Sequence, residues 1–125
     1  MNSKLKQLLT ALAISSAFVA APVSTVSAAD AGASAIEEGQ KLAFSRSKGN
    51  CLACHMVAGA NQPGNIGPAL IAMKLRYPDK QKLYDKIWGT EDAKKVPHSM
   101  MPEFGRSGIL TDKEIAKITD YIHTL

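Results

Sequence analysis

The chain has 125 residues, a formal charge of +4, 46% hydrophobic and 6% aromatic residues. That length suits one small domain, and so mild a charge argues neither for nucleic acid nor for a strongly basic docking face. A domain this small buries too little surface to be comfortably stable alone, so a bound group at its centre would help.

The first element in chain order reads as a targeting segment. Lys4 and Lys6 form a short basic region, Leu8 to Ala21 is almost wholly apolar or small, and Val26-Ser27-Ala28 resembles a cleavage site. Residues 1–28 are therefore expected to be a cleaved signal peptide, leaving 29–125 as the mature domain in the periplasm. An uncleaved anchor is the competing reading. The apolar run is shorter than the ~20 residues that span a bilayer, and Pro22 ends it.

Asp30 to Ala33 is expected to be a frayed terminus. Ser34-Ala35-Ile36-Glu37 then has the form of a capping box, predicting a helix that starts at Ser34. Ile36, Gly39, Ala43 and Phe44 share one face, and a small residue at 39 would let another helix approach closely. The helix is expected to fade near Ser47 to Asn50, where Gly49 opens the turn that carries Cys51-Leu52-Ala53-Cys54-His55.

The pattern C-x-x-C-H reads as an attachment site for a c-type haem. Two thiols three positions apart can add to two vinyl groups of one porphyrin, and the adjacent imidazole then lies under the iron. Cys51 and Cys54 would supply thioether bonds and His55 the proximal nitrogen. Three alternatives compete. A redox-active pair would suit a strand-rich βαβ pattern, but the flanks look helical. Zinc lacks a paired donor set, with His98 and His123 the remaining histidines. A structural disulfide closing so short a loop would constrain little.

After His55, Val57 to Pro68 holds Gly59, Gly64, Gly67, Pro63 and Pro68, and suits a wrapping loop. A ligating histidine usually donates its other ring N–H to a carbonyl or carboxylate, and the Pro68 carbonyl is a candidate acceptor for His55. Asp79 to Trp88 predicts a second helix, capped by Asp79 and stopped by Gly89, with Leu83, Tyr84, Ile87 and Trp88 in one stripe. Trp88 is a candidate to give its indole N–H to a haem propionate.

Val96 to Gly108 contains Pro97, Pro102, Gly105 and Gly108 and cannot be one helix. It holds Met100 and Met101, one of which is expected to complete the iron's coordination, because a thioether opposite histidine raises the reduction potential. Met101 is favoured, since Pro102 pushes its backbone toward an extended conformation. Met100 and His98 stay open as alternatives. Thr111-Asp112-Lys113-Glu114 is a second capping box, starting a helix with Ile115, Ile118, Ile122 and Leu125 on its apolar face. That face should cross the helix of Gly39 and Phe44, with Tyr121 at the crossing. His123 is expected to be solvated. The whole reads as all-α.

These pieces resemble class I c-type cytochromes, with C-x-x-C-H early, Gly67-Pro68 after it, a Met101-Pro102 loop and a closing helix. The resemblance implies terminal helices that cross, one middle helix, and loops wrapped around one covalent haem c. It departs at Ala43, where an aromatic is usual, with Phe44 one position later. A narrower resemblance rests on Lys48 to His55, Asn65 to Pro68, Leu83 to Trp88, Met101-Pro102-Glu103-Phe104-Gly105 and Gly108 to Thr111. These segments are similar to SoxX, the monohaem subunit of the periplasmic SoxAX complex of sulfur-oxidising bacteria. That family implies a heterodimer with a SoxA-like haem subunit and a thiosulfotransferase reaction that couples thiosulfate to a cysteine of the carrier SoxYZ. It also implies a downstream cytochrome as electron acceptor. Residue by residue, it makes Cys51 and Cys54 the tethers, His55 and Met101 the ligands, and no residue of this chain catalytic. The other readings are a freestanding, diffusible monohaem carrier and an open-site catalytic or sensing haem.

Overall fold

The computed structural model describes residues 28–91, 93 and 97–125. The expected signal peptide lies outside the described residues apart from Ala28, as does Val96 at the head of the methionine loop. Among the described residues four α-helices follow one another: α1 (Ala28–Phe44), α2 (Met73–Arg76), α3 (Lys80–Trp88) and α4 (Asp112–Ile122), with a 3-10 turn at Cys51–Ala53. The described residues contain no strand, so the all-α class holds.

The first helix departs from its sequence reading. α1 begins at Ala28, so Ser34 sits inside it rather than capping it, and Asp30 to Ala33 are helical. Ala28, Ala29, Ala31, Ala33 and Ala35 are the best helix formers and carry the helix through Ser34. Asp30 lies in the first turn, where a negative charge opposes the positive end of the helix dipole.

The other two long helices start where their sequences predict, and α3 also stops there, whereas α4 ends at Ile122, short of Leu125. Asp79 caps α3, its side chain accepting from the Gln81 N–H at 2.9 Å. Gly89, in the left-handed conformation at φ 89°, ends it. Thr111 and Glu114 form the capping box of α4, with the Glu114 N–H donating to Thr111 and the Thr111 N–H donating to Glu114.

α4 then buries Ile115, Ile118 and Ile122 in the core and packs most extensively on α1. Gly39 sets that crossing, because a Cβ there would overlap the Lys117 backbone carbonyl. With the backbones so close, Ala43 is fully buried and Phe44 meets Tyr121 edge-on, ring centroids 5.8 Å apart. The small residue at 43 and the aromatic at 44 thus divide the packing between them. Lys117 pairs with Glu38 across the crossing, and Lys80 pairs with Asp120 where α3 meets α4.

The short α2 has no counterpart in the sequence reading. It follows Ala72 in the left-handed conformation and buries Met73 completely. The Met73 N–H donates to the Leu125 carbonyl, and His123 meets the Tyr77 carbonyl at 3.0 Å. His123 is therefore half-buried and hydrogen-bonded, not solvated as expected.

Candidate haem site

The turn after α1 presents the C-x-x-C-H motif. α1 ends at Phe44, and Asn50, at φ 47°, leads the chain into the Cys51–Ala53 turn. The loop beyond is stapled back onto the motif. Gly64 N–H donates to Leu52 O, Gly67 N–H to Cys54 O and Leu70 N–H to Met56 O, all at 2.7–2.8 Å. Gly67 is needed for this closeness, since a Cβ there would stand 2.5 Å from the His55 ring.

The staple aims one carbonyl at the imidazole. His55 Nδ1 lies 2.7 Å from the Pro68 carbonyl oxygen, the contact the Gly-Pro pair suggested. A carbonyl only accepts, so Nδ1 carries the proton. In a neutral ring that leaves the Nε2 lone pair free to bind a metal.

Cys51 and Cys54 are both free, half-buried thiols. Burial pushes the Cys51 thiol up to about 11, which disfavours the free thiolate that a redox nucleophile needs. No group of three or more His, Cys, Asp or Glu among the described residues is placed to hold a metal ion by itself.

These side chains open onto a cavity of about 750 Å³, within the range of cofactor sites. Cys51, Cys54, His55, Gly67 and Pro68 line it, as do Met73, Leu83, Ile87, Phe104 and Ile122 from the core. Met100 and Met101 both reach it from the methionine loop. Met101 is half-buried and packs against the core, whereas Met100 is 77% exposed.

Arg46, Lys48, Arg76 and Lys86 also line the cavity, and no carboxylate among the described residues does. An apolar chamber edged by cations fits a flat apolar ligand with negative groups at its periphery, as a haem with two propionates is. The cations and Met73 were missed in the sequence because they come from separate segments, with no local spacing to join them.

Trp88 is the site residue that the structure places elsewhere. It does not line the cavity, and its indole N–H donates to Asp112 at 2.8 Å. The acceptor expected from a propionate is supplied by the first residue of α4. Behind Trp88 the ring covers Gly105, where a Cβ would overlap the indole.

Comparison with known proteins agrees with this geometry. An uncharacterized lipoprotein of Aquifex aeolicus (strain VF5) is 40% identical over 81 residues, 61% of this chain and 36% of the relative. The chain thus spans little more than a third of that relative's length. The cytochrome c profile matches residues 36–125, from the middle of α1 to the last residue. A covalent haem c, and electron transfer as its work, go with that match and with the spacing of Cys51 and Cys54. The chain belongs to the cytochrome c family.

Proposed function

We propose that this chain is the electron-accepting monohaem subunit of a periplasmic complex of the SoxAX kind, one that couples thiosulfate to a cysteine of a carrier protein such as SoxYZ. In this reading Cys51 and Cys54 would tether a haem, and its iron would be held by His55 through Nε2 and by Met101 through its thioether sulfur. The Pro68 carbonyl keeps the imidazole in the required tautomer. Thioether coordination raises the reduction potential, which suits an acceptor.

The division of labour follows from the cysteines. With both thiols committed to haem, sulfur chemistry falls to a partner. Coupling two sulfurs releases two electrons, and one iron takes one at a time, so the second goes to another haem or onward to a soluble acceptor.

The observation that carries the reading is the mouth of the cavity. Ile66, Met100 and Ile109 line it while exposed, and Ile71 and Leu75, on either side of the cavity-lining Met73, are 56% and 82% exposed without lining it. Large apolar side chains left bare around a redox centre favour a lasting protein contact. A freely diffusing carrier is better served by a polar rim. Co-purification from the native host tests this: a stable heterodimer with a second haem protein is expected. A chain that is always recovered as a monomer is instead the diffusible carrier.

A further inference from the structure

The methionine loop carries more donor chemistry than one ligand needs. Pro97 to Pro102 places His98 as well as Met100 and Met101 on the cavity wall. His98 is exposed, and its imidazole makes no hydrogen bond to a described residue. Its backbone sits at φ 62°, in the left-handed region that a residue with a Cβ rarely adopts.

The loop is also lightly tied by backbone bonds among the described residues. None of residues 97–102 makes a backbone–backbone hydrogen bond to another described residue. What holds Met101 locally is its N–H donating to Ser99 Oγ at 3.3 Å. A second cavity of about 400 Å³ lies against the same loop, so His98, Ser99, Met101 and Pro102 have hollow space beside them besides the chamber assigned to the haem. A segment with few backbone bonds and room beside it opens at low cost.

We infer that His98 is a latent iron ligand, held three residues from Met101 so that it takes the axial position when the thioether leaves. This rests on the reading of Met101 as the resident ligand. The exchange breaks one iron–sulfur bond and forms one iron–nitrogen bond. No electron moves, and a neutral imidazole gives up no proton. Three residues span at most about 10 Å of extended chain, which bounds the shift the loop has to make. Met100 is a poorer replacement, because it offers only another weak thioether donor. Imidazole in place of thioether lowers the reduction potential, so the exchanged form is a weaker electron acceptor.

The test uses haem-loaded protein and its oxidised spectrum. In Met101→Ala the thioether-to-iron band disappears, while the iron stays low-spin with the paramagnetic resonance signature of two imidazoles. Met101→Ala/Met100→Ala behaves the same way. In Met101→Ala/His98→Ala the iron becomes high-spin and binds cyanide rapidly, and added imidazole restores the low-spin state, which shows that the domain is still folded. A high-spin Met101→Ala protein overturns the inference and leaves the ligand assignment intact, as does a double variant without His98 that remains low-spin. A thioether band that survives in Met101→Ala overturns the assignment itself.

Discussion

The Nδ1 of His55 and the carbonyl oxygen of Pro68 face each other at 2.7 Å, with Gly67 as the floor beneath the ring. Gly67→Ala therefore pushes on the imidazole at 2.5 Å. The expected results are a loss of about 1–3 kcal/mol in stability from overpacking and a shifted midpoint potential, read by denaturant titration and by redox titration. An unchanged potential would show that the ring does not depend on this contact.

Two glycines in α1 predict opposite signs for the same substitution. Gly39→Ala improves helix propensity but forces a Cβ into the Lys117 carbonyl, so it should destabilise the fold by about 1–3 kcal/mol. Gly32→Ala meets open space and should stabilise the helix, by up to about 1 kcal/mol. Thermal melts of the two variants side by side decide the matter.

Glu114 gives the fold an acid-sensitive joint. Lys48, 2.7 Å away, and then the Thr111 N–H and hydroxyl, hold its carboxyl at about 2 instead of 4.5. The folded-state value is depressed, so the stabilisation is fully present above about 4.5 and is lost as pH falls toward 2. Urea midpoints measured down that range should fall more steeply for the parent than for Glu114→Gln. Equal slopes would mean that the contact carries no linkage.

Asp112 and Trp88 separate a structural role from a haem role. If the indole serves the α3–α4 contact, Asp112→Ala costs about 1 kcal/mol and leaves the midpoint potential where it was. A potential that moves while stability holds would return Trp88 to the propionate.

Much of this molecule was legible in the chain because local signals and tertiary need coincide. Asp79, Gly89, Thr111 and Glu114 are capping residues that also bound helices facing the core, so α3 and α4 read true. Gly39 and Tyr121 announced the helix crossing in the same way. Ser34 misled, because a local capping pattern lost to the propensity of the alanines before it. α2 gave no signal: it is four residues long and follows a left-handed Ala72 that no composition rule foretells. The cations at the cavity edge and the Trp88–Asp112 bond are tertiary pairings between distant segments, and periodicity carries no information about them.

The central claim is an iron held between His55 and Met101, and the far-red spectrum of the oxidised protein tests it most directly. The band from thioether to ferric iron should be present in the parent and in Met100→Ala, and absent from Met101→Ala. Its loss in Met100→Ala alone, or its absence from the parent, would contradict the account.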